Sequence, residues 1–158
     1  MPRTSTGALR RLCLALALLL AAAAPAMAQR GPTTPAPGSP ERRAIMDAIR
    51  AATREDLEKP VIFVVDHLKV QDNYAFMMGV PRKPDGTPFD YSGTLYQEQI
   101  EGGAFDDWIY AVLAKINGRW QVLEWLIGAT DVAWLGAVGK YGAPETIFPE
   151  HGDEHDHH

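Results

Sequence analysis

The chain has 158 residues, enough for one domain, with a formal charge of −5, 46% hydrophobic residues and a single cysteine. An acidic balance excludes a nucleic-acid binder, which needs a Lys/Arg footprint to displace counterions. One cysteine excludes a disulfide framework or thiolate zinc cluster, and the apolar content excludes a wholly disordered chain.

Arg3, Arg10 and Arg11 open the sequence, with no acid among the first 28 residues. An uninterrupted run of 13 apolar residues, LCLALALLLAAAA (12–24), follows them. Pro25 ends that run, and Ala26-Met27-Ala28 is a small-x-small cleavage site. Basic start, short apolar stretch and cleavage site together spell a secretory signal peptide over residues 1–28. The competing reading is a membrane anchor. Thirteen helical residues span about 20 Å, short of the roughly 30 Å hydrocarbon core, so no span remains after cleavage. Arg10-Arg11 hints at twin-arginine export, but the flanking residues fit the general secretory route better. Losing three arginines and no acid moves the formal charge from −5 to −8. Cys13 leaves with the leader, so the mature chain has no thiol chemistry in an oxidising compartment. The expected location is periplasmic or secreted.

Residues 29–39, QRGPTTPAPGS, read as a Pro-rich spacer that holds the domain away from its N-terminus. Ser39-Pro40-Glu41 starts a helix: a hydroxyl N-cap, proline at the first helical position and an acid in the first turn. Ile45, Met46, Ile49 and Ala52 recur at helical spacing, which predicts a helix over 40–57 that stops before Pro60. VIFVVDHLKV (61–70) is a β-branched strand. It turns at Asp72-Asn73 and returns as YAFMMGV (74–80). Residues 81–93 form a loop with three prolines, a Pro84-Asp85-Gly86 turn and Pro88; such a loop can cover a pocket. Residues 94–104 fit either a strand or a short helix. DWIYAVLAKI (107–116) and RWQVLEWLIGA (119–129) flank Asn117-Gly118, the signature of a two-residue type I′ hairpin. TDVAWLGAVGKYG has an N-cap candidate in Thr130 and a stop in Gly142, which predicts a short C-terminal helix. The segment APETIFP closes a single domain over 40–149, and residues 150–158 form an acidic, His-rich tail. The fold class is α+β: an N-terminal helix, an antiparallel sheet of about four strands and a short C-terminal helix.

The strings KPVIFVVDHLKVQDNYAFMMGVPRKPDG, WQVLEWLIGATDVAW and KYGAPETIF carry a resemblance over residues 41–149. They resemble a group of uncharacterised secreted or periplasmic bacterial domains. The resemblance implies export and a small α+β domain, and it supplies no catalytic residues. The order of elements is loosely similar to cystatin-like and nuclear-transport-factor-like folds, which host both enzymes and binding modules.

Pairing outward from Asn117-Gly118 sets Ile116 against Arg119. One face then holds Trp108, Tyr110, Val112 and Ala114 with Gln121, Leu123, Trp125 and Ile127. The other holds Ile109, Ala111, Leu113 and Lys115 with Trp120, Val122, Glu124 and Leu126. Both faces are apolar, so both need a cover: the long helix on one, and a loop, the C-terminal helix or a partner chain on the other. A homodimer through this sheet is one expectation.

Glu124 falls opposite Ala111 between Val122 and Leu126. A carboxylate there has a raised pKa and suits general acid/base work, unless it reaches water or pairs with Lys115. His67, by Met78, is the one histidine of the folded region and the candidate partner base. Asp66, by Gly79, points to the opposite face, so Asp66 and His67 form no dyad with each other. Trp108, Tyr110 and Trp125 share a face and are the candidate ligand contacts. Trp120, Trp134 and Tyr141 add to the aromatic store, for which core packing is the plainer use. Asp106, Asp107 and Asp131 lack calcium-loop spacing. The tail HGDEHDHH, with His151, His155, His157 and His158, suits loosely held zinc, nickel or copper. No nucleophile elbow, phosphate loop, dinucleotide fingerprint or H-E-x-x-H is present. The function expected is a non-enzymatic module that binds a small ligand or a protein. The alternatives are a cavity enzyme using Glu124 with His67 or Asp66, and metal handling by the tail.

Overall fold

The computed structural model describes residues 31–150. The signal-peptide reading of residues 1–28 and the tail ligands His151, His155, His157 and His158 lie outside the described residues.

Helix α1 spans Pro40–Ala52, with the Ser39 hydroxyl accepting from the Arg42 amide at 3.2 Å. Its buried stripe is Ile45, Met46 and Ile49. The single long helix expected over 40–57 is broken at Thr53. That residue is fully buried, and its hydroxyl donates to the Ile49 carbonyl at 3.0 Å. Such back-bonding competes with the helical ladder. A short helix, α2 (Arg54–Leu57), follows, and Glu58 ends it in the left-handed region at φ 56°.

Four strands, β1 (Ile62–Gln71), β2 (Tyr74–Arg82), β3 (Asp106–Ile116) and β4 (Arg119–Gly128), form an antiparallel sheet in the order β1-β2-β3-β4. The β1–β2 turn lies at Asp72-Asn73, with Asp72 at φ 54°. Asn117 and Gly118 both have positive φ, 51° and 75°, as a type I′ turn requires. The ambiguous segment resolves as helix α3 (Gln97–Glu101).

Three irregularities interrupt the ladders. One leaves Asp107 and Trp108 of β3 between the pairs Asp106–Gly128 and Ile109–Ile127. The other two are single-residue bulges that set the faces of β1 and β4. Asp66 is the extra residue of β1, between the pairs Val65–Gly79 and His67–Met78. A Cβ on residue 79 would lie 2.2 Å from the Val64 carbonyl oxygen, so the crossing there is open only to glycine. Leu123 is the extra residue of β4: Leu113 pairs with Val122, but Val112 pairs with Glu124. Because side chains alternate with a period of two, one inserted residue exchanges the faces of everything beyond it. Glu124 thereby leaves the Ala111 side, and Ala111 pairs with Trp125 instead.

One face of the sheet packs on α1 and α2 through Ile45, Met46, Ile49 and Leu57 against Leu68, Met77, Ile109 and Leu113. Phe89, Tyr91 and Tyr96 join this core, so the proline-rich loop ends as part of the helix-side packing. The opposite face holds Phe76, Tyr110 and Val112 beneath Trp134, Ala137, Ala143, Ile147 and Phe148. Its cover is therefore the chain's own C-terminal segment, residues 129–149, here called the strap. The strap is not the short α-helix expected. It carries two 3-10 turns, Ala133–Ala137 and Glu145–Ile147. The first is preceded by Val132 with no side-chain cap, so Thr130 does not cap it. Gly139 and Gly142 sit at φ 73° and 71°, conformations that end a helix.

The linker also differs from a bare spacer. Thr33 exchanges two backbone hydrogen bonds with Val70, both 2.8 Å, at the free edge of β1. Pro35 is buried, and its carbonyl accepts from Arg42 Nη1 at 3.2 Å.

Candidate functional site

The strap face gathers Glu124, His67, Trp108 and Tyr110 of the residues singled out by the sequence. The bulge at Leu123 turns Glu124 toward Tyr110 and the strap. Glu124 Oε1 accepts from Tyr110 Oη at 2.7 Å. Glu124 Oε2 accepts from Tyr141 Oη at 2.6 Å and from Lys140 Nζ at 2.5 Å. The carboxylate is 19% exposed. Burial pushes its pKa up, but the bonds from Lys140, Tyr141 and Tyr110 outweigh burial and hold it below the usual carboxylate value. The raised pKa expected for Glu124 is thus reversed, because the flipped face offers three donors where the expected face offered only Ala111 and its neighbours. Lys115, its expected partner, instead meets Glu41 at 3.3 Å. Burial, followed by the Glu124 carboxylate, pushes the Tyr110 hydroxyl pKa up, so Tyr110 stays a donor.

His67 reaches the same face. Its Nε2 lies 2.8 Å from the Ile147 carbonyl oxygen, and since a carbonyl only accepts, Nε2 donates. The ring meets Phe76 edge-on at 5.7 Å. Phe76 and Tyr110 stack at 6.1 Å, so these two rings link the His67 and Glu124 ends of the face. Asp66, on its bulge, is exposed and does not pair with Gly79 as the unbulged register requires.

The aromatic trio is divided. Trp108 and Tyr110 share the strap face with ring centroids 6.0 Å apart, and Trp108 Nε1 donates to the Ala129 carbonyl at 2.5 Å. Trp125 packs against the helix-side core instead. Asp107 accepts from Tyr91 Oη and from Arg82, each at 2.6 Å, so its carboxylate is spent on holding the loop. Asp106 and Asp131 are exposed. Among the described residues no group of three His, Cys, Asp or Glu side chains forms a metal site.

Two hollows open on the surface. One, of about 390 Å³, is lined by Lys59, Pro60, Lys83, Pro84, Asp85, Phe89 and Asp90. Lys59 is already committed there, donating to the Asp90 and Ser92 carbonyls at 2.8 and 2.7 Å and to the Asp90 carboxylate at 3.0 Å. The other, of about 400 Å³, lies where linker and strap meet. Trp134, Val138, Phe148, Pro32 and Pro149 give it apolar walls, with Glu145, Thr146 and Glu150 on its rim. Glu145 and Glu150 are exposed. Of these residues the sequence pointed only to Trp134, through its aromatic count. Nothing in local pattern brings Pro32 to Phe148, which are joined by the docking of two non-regular segments.

No protein-family model, curated protein or solved structure matches the chain. No helix among the described residues is long and apolar enough to cross a membrane.

Proposed function

We propose that the chain is an exported, non-enzymatic binding module of the bacterial periplasm, and that its ligand sits in the hollow between linker and strap. The observation that carries this reading is the composition of that hollow: Trp134, Val138 and Phe148 offer an apolar floor, and Glu145 and Glu150 offer negative charge at the rim. Such a seat suits a ligand with an apolar body and a cationic group. The catalytic alternative is less well supported by the same geometry. Glu124 is held ionised by three donors, and His67 donates to the strap backbone. A general base needs an acceptor position that faces a substrate, and both Glu124 oxygens already accept from protein donors.

The binding reading is tested by following backbone amide shifts of the mature chain during titration with a set of aromatic amines, with matched aromatic carboxylic acids as controls. Amines are expected to move residues 134, 138, 146 and 148, and the acids to leave them in place. Shifts confined to other surfaces, or no response to any amine, would overturn it. Export is tested separately by fusing residues 1–28 to a reporter enzyme active only outside the cytoplasm. Activity is expected, and it should vanish when residues 14–24 are deleted.

A further inference from the structure

We propose that the hollow beside Lys59 seats a free amino acid with an apolar side chain, its α-carboxylate on Lys83 and its α-ammonium on Asp85. This site is independent of the seat between linker and strap, because it lies on other residues and asks one ligand for both charges.

The first observation concerns charge. The lining of this hollow contains Lys59, Lys83, Asp85 and Asp90, two charges of each sign. One of each sign is spent on the protein. Lys59 donates to the Asp90 and Ser92 carbonyls and to Asp90 Oδ2, while Asp90 Oδ1 accepts from the Ser92 amide at 3.0 Å. The other two charges are open. Lys83 is exposed and joins no ion pair among the described residues. Asp85 is also exposed. Its Oδ1 accepts from the Thr87 amide at 3.0 Å and the Thr87 hydroxyl at 2.6 Å, and its Oδ2 accepts from nothing among the described residues. Because the four charges balance, a bare cation or anion gains nothing that the opposite charge does not take back. A ligand that carries both charges is matched at both ends.

The second observation is geometric. Lys83 and Asp85 belong to one braced turn. The Gly86 amide donates to the Lys83 carbonyl at 2.8 Å, the Lys83 amide donates to the Thr87 carbonyl at 3.0 Å, and Arg82 bridges Pro88. Gly86 holds φ at 84°, and Pro84 fixes φ between the two charged residues. The turn keeps the two charges close without letting them join. Bonds from the Thr87 hydroxyl and amide hold the Asp85 carboxyl below its ordinary value, and Lys83 lowers it further from beyond ion-pair distance. A zwitterion built on a single Cα bridges such a gap and satisfies both groups at once. Since the turn is braced in advance, little ordering is lost on binding. Phe89, 6% exposed and met edge-on by Tyr91 at 4.9 Å, forms an apolar floor, with Pro60 and Pro84 beside it. The volume, about 390 Å³, lies at the small end of ligand pockets and suits one amino acid rather than a long peptide.

The experiment follows backbone amide shifts of the mature chain during titration with L-phenylalanine and L-leucine. N-acetylphenylalanine, which lacks the ammonium, and phenylalanine amide, which lacks the carboxylate, are titrated beside them. The free amino acids are expected to move the amides of Lys59, Lys83, Asp85, Gly86 and Phe89, and the blocked forms to bind there several-fold more weakly. Lys83→Gln removes the ammonium, and Asp85→Asn removes the charge while keeping the acceptor for Thr87. Each should weaken phenylalanine several-fold. Lys83→Gln should also erase the preference over phenylalanine amide, and Asp85→Asn the preference over N-acetylphenylalanine. Both residues are exposed, and retained circular dichroism is the control. No response of these amides to either free amino acid would overturn the site, as would equal binding of the blocked forms or unchanged binding by both variants. Shifts confined to Trp134, Val138, Thr146 and Phe148 would overturn it too, while leaving the seat between linker and strap standing.

Discussion

The two faces of the sheet are covered by different means. On the helix side, a regular amphipathic helix meets Leu68, Met77, Ile109 and Leu113, and its backbone hydrogen bonds are made within the helix. On the strap side, the cover has two short 3-10 turns and long irregular stretches, so its backbone must find partners elsewhere. Side chains from the sheet supply them: Trp108 to the Ala129 carbonyl and His67 to the Ile147 carbonyl. Glu124 and Gln71 hold strap side chains, Lys140 with Tyr141 and Thr146 respectively. An irregular cover thus takes bonds from sheet side chains to its backbone. The helical cover completes its own backbone ladder and, among the described residues, meets the sheet's polar groups through the single Lys115–Glu41 pair.

The largest effect is expected from Phe76→Ala. Phe76 is fully buried and meets Trp134 and Phe148 at 6.0 and 4.8 Å, so truncation should cost about 3–5 kcal/mol in urea unfolding. Phe76→Ala should raise amide exchange in the strap more than in α1.

Glu124→Gln separates polar bonding from packing. Hydrogen bonds to a charged group are worth about 1.5–3 kcal/mol each at best, and partial exposure of the carboxylate lowers that figure. Amide exchange over 133–148 should rise while exchange in the β1–β2 hairpin stays near wild type. The same residue sets an acid dependence. Its folded pKa lies below the ordinary value, so its stabilisation is complete above about pH 4.3 and is lost as pH falls through the lower folded value. Wild type should lose stability across that range, and the glutamine variant should lose less. The smallest effect is expected from Thr33→Pro, which removes the donor to the Val70 carbonyl. About 0.5–1.5 kcal/mol is the scale for one such bond, visible as faster exchange of the Val70 amide with the strap unchanged.

Much of the architecture was legible because its signals are local. Ser39-Pro40-Glu41 caps α1, Asn117-Gly118 sets the hairpin, and pairs from Ile116–Arg119 to Leu113–Val122 follow from that turn. Beyond Leu123 the register is displaced by one. No residue pattern announces the bulge, because β4 is apolar on both faces and an inserted leucine leaves the alternation looking intact. The same slip misplaced Glu124 and separated Trp125 from Trp108. Asp66 was displaced by the equivalent insertion in β1. The strap was misread because Thr130-Asp131 resembles a cap, whereas Gly139 and Gly142 adopt positive φ and end any helix. The hollow was not legible, since Pro32 and Phe148 are brought together by tertiary docking alone.

The docking of Thr33 on the β1 edge has a topological consequence. Pro32 and Glu150 line one hollow, so the two ends of the described chain are neighbours although all four strands lie between them. The domain is therefore close to a closed ring. A short linker could join residue 150 to residue 32, and new termini could open in the exposed turn at Asp85-Gly86, with every strand pairing retained.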